Sequence, residues 1–165
     1  MHGQRPRCVY HALDTDLADP GALDRLLARC AIAKKGLVIS EGLLVYWTTA
    51  QVGALANRLH RETSLAWWVT DLAGPRALAM MERSWGRLLQ GSRFQFAPRD
   101  SATFFGELGW RETEFRSSQE EARRLGRAPN QPLLGLIVTA LASARFREEI
   151  RRLSGCAMLT RMALA

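Results

Sequence analysis

The chain has 165 residues, enough for one domain with a substantial core. Its 47% hydrophobic and 24% charged content is close to the globular average, which excludes disordered, collagen-like and disulfide-scaffold classes. The net charge is +7, yet acids are interleaved with the bases along the whole chain, so no basic stripe suited to a nucleic acid is gathered in one stretch.

The N-terminal MHGQRPRCVYHALD lacks the apolar core of a signal peptide. Within it, Cys8 to Leu13 predicts a short strand ending at Asp14, Thr15 and Asp16. The following DLADPGALDRLLARC carries a helix start, with Asp19 able to cap, Pro20 at the first helical position and Leu23, Leu26 and Leu27 on one face. Lys34, Lys35 and Gly36 close that helix, and Leu37 to Ser40 predicts a second strand, apolar without alternation.

Thr48 and Gln51 form a capping-box pattern ahead of a helix bearing Val52, Leu55, Ala56 and Leu59. Ser64 to Thr70, rich in aromatic and β-branched residues, predicts a third strand ending at Asp71. After Gly74 and Pro75 a helical pattern runs through Leu78, Met81, Trp85 and Leu88 and closes near Gly91. Three strand-to-helix units, each strand ending in an acid, predict an α/β fold: a parallel sheet with helices on both faces.

The remainder changes character. Ser101 to Leu108 predicts a helix closed by Gly109, and WRETEFR alternates as a strand does. Ser117 and Ser118 with Glu120 and Glu121 suggest another capping box. Pro129 and Pro132 mark a loop, two helical stretches run on to Leu153, and Cys156 to Leu164 predicts a last strand, antiparallel to the WRETEFR strand at one sheet edge. Glutamates and arginines at helical spacing, Glu120 with Arg124 and Glu148 with Arg152, read as solvated helix faces rather than a nucleic-acid surface.

Cys8, Cys30 and Cys156 are odd in number and form no CxxC pair, and no histidine stands at metal spacing, so no metal site and a reducing, cytoplasmic setting are expected. The longest late apolar run, Leu133 to Ala142, is too short to span a bilayer.

Ligands of open parallel sheets bind outside the carboxyl ends of the strands, which directs attention to Asp16, Glu41 and Asp71. Local roles compete with ligand contact at each position: Asp16 or Asp19 as a helix cap, Asp71 in an Asx turn, Glu41 as a solvated carboxylate.

ALDTDLADPGALDRLL, LVISEGLLVYW and FFGELGWRETEFRSSQEEARRLGR resemble, in order, the later motifs of the leucine carboxyl methyltransferase family of class I S-adenosylmethionine-dependent methyltransferases. The resemblance spans nearly the whole chain. It implies a Rossmann-like methyltransferase sheet with an antiparallel C-terminal strand pair, and S-adenosylmethionine as cofactor. Asp16 and Leu17 match the pair that holds the adenine end, and Glu41 matches the glutamate beside the methionine portion. Tyr46 lies near the site in the same motif, with packing as its alternative role. The implied reaction is in-line O-methyl transfer to a small-molecule or peptide carboxylate, giving a methyl ester and S-adenosylhomocysteine, with no residue assigned as catalytic.

The 13 glycines contain no GxG, so the N-terminal glycine-rich motif of that family is absent. Residues 1 to 165 therefore read as a single partial domain, the C-terminal portion of a methyltransferase, expected to bind S-adenosylmethionine weakly or not at all by itself. Its truncated sheet is expected to leave an open edge available for self-association. The alternative function is a non-catalytic interaction module derived from the same fold, with no nucleic-acid or membrane partner.

Overall fold

A computed structural model describes residues 7–85, 93–128 and 143–163. Asp19 caps α1 (Pro20–Cys30) by accepting from the Gly21 N–H at 2.9 Å. The chain then enters β1 (Gly36–Ser40), a 3-10 turn at Leu44–Tyr46, and α2 (Thr49–Arg61). The expected capping box is present at α2: Thr48 Oγ1 accepts from the Gln51 N–H, and Gln51 Oε1 accepts from the Thr48 N–H. β2 (Leu65–Ala73) leads into α3 (Pro75–Trp85), and α4 (Ser101–Gly106) precedes β3 (Trp110–Ser117). α5 (Ser118–Arg124), α6 (Ala144–Arg151) and β4 (Ser154–Arg161) complete the described elements.

The four strands form one sheet in the order β1-β2-β4-β3. β1 and β2 are parallel, joined through α2, whereas β4 runs antiparallel to both β2 and β3. This is a mixed α/β sheet flanked by helices, Rossmann-like, with the antiparallel C-terminal pair expected from the sequence.

One sheet face carries the core. Trp68 and Thr70 of β2, Trp110 of β3 and Ala157 and Leu159 of β4 are buried there, together with Val52, Leu55, Ala56 and Leu59 of α2. The indoles have partners for their polar ends: Trp68 Nε1 donates to Ser40 Oγ at 2.9 Å, and Trp110 Nε1 donates to the Ala56 carbonyl at 3.0 Å. Phe105 meets the Trp68 ring edge-on with centroids 5.3 Å apart, and Trp68 meets Trp110 likewise at 5.7 Å.

Several expectations need correction. Cys8 to Leu13 is not a strand: it has no regular structure, and Val9, Tyr10 and Leu13 are exposed. Among the described residues no strand pairs with it to take its backbone hydrogen bonds. β2 runs on to Ala73, because β4 pairs with it past the end of β1, and Asp71 therefore lies inside the strand. α4 stops at Gly106 and is capped by Asp100, whose carboxyl is held below the usual range chiefly by the Thr103 N–H. Gly109 takes φ +85° and packs so closely on His60 that an added Cβ would lie 2.5 Å from Nε2.

Ser117 starts α5 without a side-chain cap, its Oγ buried with no hydrogen-bond partner among the described residues, because the residue also ends β3 opposite Gly155. Glu148 pairs with Arg152 as expected, but Arg124 pairs with Glu121, and Glu120 reaches Arg151. β4 ends at Arg161, short of the expected Leu164. Leu88, Gly91, the Pro129 to Pro132 loop and the first of the two late helical stretches lie outside the described residues. No described helix is long and apolar enough to cross a membrane.

Candidate functional site

The carboxyl end of β1 is shaped by one residue of β2. Gly42 takes φ +60°, which turns the chain sharply after Glu41, and its N–H donates to Asp71 Oδ1 at 3.0 Å. The Asx turn expected at Asp71 is not the role observed: its carboxylate fixes the Gly42 turn from the neighbouring strand, 29 residues away in sequence. Glu41 itself is exposed and makes no ion pair among the described residues. Its carboxylate stands at the end of a parallel strand, where ligands of such sheets bind.

Asp71 pairs in register with Cys156 of β4. Burial pushes the Cys156 thiol up, and the negative charges of Asp71 and Glu41 push it further. The two carboxylates of Asp71 and Glu41 thus act on the same stretch of β4. Among the described residues no cluster of His, Cys, Asp or Glu has the geometry of a metal site.

The segment after Glu41 folds back onto the core. Leu44 is buried, and the Val45 carbonyl accepts the Gln95 N–H at 2.7 Å. The Tyr46 ring lies 5.4 Å from that of Phe94, its own carbonyl accepting from Gln95 Nε2, so the packing role expected as its alternative is the one observed. Trp47 is half-buried and forms a wall of a cavity of about 210 Å³ between the N-terminal ends of α1 and α2. Leu17, Leu23 and Leu55 line the same cavity, and the Asp24–Arg58 ion pair, 2.5 Å, closes its rim.

Of the three cofactor candidates Asp16, Leu17 and Glu41, Leu17 alone lines this cavity. Asp16 is exposed; its Oδ1 accepts from the Ala18 N–H at 2.9 Å, a local turn, and Oδ2 has no partner among the described residues. Asp16 and Glu41 are not joined by any hydrogen bond among the described residues. Trp47 was legible as the last residue of LVISEGLLVYW but carried no signal separating it from an ordinary core aromatic. Cys156 had no local signal, since its surroundings come from β2.

No family model matches the chain, and no curated protein matches it. Among solved structures it is similar to magnesium protoporphyrin IX methyltransferase (ChlM) from Synechocystis PCC 6803 with bound SAH, at 17% sequence identity and a TM-score of 0.45. The match covers 88% of this chain and 48% of that one, so the chain spans about half the length of the protein it resembles.

The residues at the sheet edge are chemically compatible with S-adenosylmethionine. A small apolar cavity walled by Leu17 and Trp47 suits a flat ring, and the exposed Glu41 carboxylate suits an ammonium or sulfonium group.

Proposed function

We propose that residues 1 to 165 form a single partial methyltransferase domain, the C-terminal portion of an S-adenosylmethionine-dependent O-methyltransferase akin to the leucine carboxyl methyltransferase family. It acts in the cytoplasm on a small-molecule or peptide carboxylate. The observation that carries this reading is that Leu17 and Trp47, from two separate motif segments, wall one cavity, Trp47 belonging to the same segment as Glu41.

In this reading Leu17 and Trp47 hold the adenine, and Asp16 hydrogen-bonds the same end through its free oxygen. Glu41 pairs the ammonium of the methionine portion and adds negative potential beside the sulfonium. The cofactor supplies an activated methyl group when bound. The chain's own residues orient it and shield the transfer path from water, and none acts as a general base.

The test is a titration of the isotope-labelled chain with S-adenosylmethionine, followed by amide chemical shifts, which reads even millimolar affinity. Shifts are expected at Leu17 and at Glu41 to Trp47. Glu41→Gln is expected to weaken binding about tenfold, the value of one charge-assisted hydrogen bond near 1.4 kcal/mol. Perturbations confined to other parts of the chain, or unchanged affinity in the variant, would overturn the assignment.

A second reading, a non-catalytic interaction module, is favoured by β1. Among the described strands it pairs on one side alone, and Leu37 and Ile39 are 51% and 67% exposed. An apolar edge strand of this kind invites pairing with another chain. Sedimentation at increasing concentration is expected to show self-association that Leu37→Lys with Ile39→Lys removes. A wild-type chain that stays monomeric contradicts this second reading.

A further inference from the structure

A second cleft has none of Asp16, Leu17 or Glu41 in its lining. It has a volume of about 510 Å³ and opens between the start of α3, the 98–101 turn and the junction of α6 with β4. That volume falls in the range of small-molecule sites, roughly 300–1,000 Å³. Its floor is apolar, formed by Leu72, Pro75, Pro98, Phe115 and Leu153. Its polar lining consists of Ser101, four arginines and two glutamates.

Those charges are not equally engaged. Arg152 is committed: its guanidinium is bound to Glu112 at 2.5 Å and to Glu148 at 2.9 Å, and it donates to Ser101 Oγ. Arg76 makes a long contact to Glu149, 3.6 Å, with both side chains more than half exposed, an arrangement that a better acceptor can replace. Arg99 and Arg145 make no ion pair among the described residues, and both are exposed at the cleft. Once Arg152 with Glu148 and Arg76 with Glu149 are set aside, the guanidinium groups of Arg99 and Arg145, from separate segments, remain without an ion pair among the described residues. The first turn of α3, an 11-residue helix, brings the positive end of its dipole to the same rim.

We infer that this cleft binds an organic anion with a flat apolar body and one or two carboxylate or phosphate groups, Arg99 and Arg145 taking the charge and Phe115 with Leu72 and Leu153 taking the body. Arginine suits either acid because its planar fork matches both geometries. The apolar floor sets the ligand apart from a bare inorganic ion. The inference does not depend on methyl transfer, since the cleft shares no residue with the cofactor assignment.

The experiment titrates the full chain with terephthalate, phenyl phosphate, inorganic phosphate and the uncharged terephthalamide, following amide shifts. Terephthalate or phenyl phosphate is expected to perturb Gly74, Arg99 and Arg145, and the tighter of the two names the acid. Terephthalamide is expected not to bind. Arg99→Ala and Arg145→Ala should each weaken binding about fivefold, the effect of an exposed charge contact worth about 1 kcal/mol, and added salt should weaken it further. Both side chains are exposed, so an unchanged urea midpoint will show that the variants fold. The inference is overturned if neither organic anion binds, if the double variant binds them as the wild type does, or if inorganic phosphate binds as tightly as the aromatic ligands.

Discussion

Trp68→Ala is expected to lower the unfolding free energy by about 3–5 kcal/mol, a large share of the roughly 5–15 kcal/mol that holds a domain together. Trp68 is 0% exposed and touches Phe105 and Trp110 edge-on, so removing it empties the centre of the core. It also removes the donor to Ser40 Oγ, whose hydroxyl in turn donates to Thr70 Oγ1 at 2.9 Å. That buried chain of hydrogen bonds links β1 to β2, so the loss reaches the strand that presents Glu41. Urea unfolding followed by circular dichroism measures the change. Trp67→Ala is the control: Trp67 is half-buried and points to the opposite face, where Lys35 Nζ lies 5.8 Å from its ring centre. Its loss should cost less than half as much, and equal losses would show that the Trp68 contacts do not carry the core.

The second large effect is expected at the Glu112–Arg152 pair. The Glu112 side chain is 5% exposed and that of Arg152 is 30% exposed. The hydrogen bond to Glu112 holds the Arg152 guanidinium above its usual range, against the opposing effect of burial. Arg152→Ala would leave a buried carboxylate with Ser101 Oγ, 2.9 Å away, as its remaining side-chain donor. A cost of about 3 kcal/mol is expected, the lower end for breaking a buried pair because Arg152 keeps some access to water. Glu112→Ala and the double variant complete a double-mutant cycle. If the pair acts as a unit, the double variant loses at least about 1.5 kcal/mol less than the two single losses combined, and strict additivity would contradict the coupling. The pair ties β3 to the junction of α6 and β4 and so shapes one wall of the arginine-lined cleft.

Much of the fold was readable because the governing interactions are short in sequence. The Thr48 capping box and the Asp19 cap each join residues two or three positions apart, so the pattern that suggests them contains all the atoms they need. The parallel β1-α2-β2 unit and the late antiparallel pair followed from periodicity in the same way. The Asp100 cap is equally local, but Ser101 beside it is a capping residue type too, so the pattern does not separate the two.

The candidate site was less legible. Glu41 and Leu17 were singled out as residues, but their setting depends on partners far along the chain. Gly42 is turned by Asp71, 29 residues on, and Leu17 and Trp47 line one cavity from separate parts of the chain. The expected strand at Cys8 to Leu13 failed for a related reason. Its composition is a statement about side chains, whereas a strand exists only when a neighbour takes its backbone hydrogen bonds.

The sequence by itself determined the helix starts, the α/β class and the two motif segments that suggest a cofactor, because caps and periodicity are written within a few residues. Only the tertiary structure decided that Asp71 works inside a strand and that Trp47 shares a cavity with Leu17. It also gathered Arg76, Arg99, Arg145 and Arg152 around one cleft. Along the chain those arginines are dispersed among acids and read as ordinary solvated charge. The pairing of β4 between β2 and β3 brings their segments together, since sheet register sets which side chains meet across the fold.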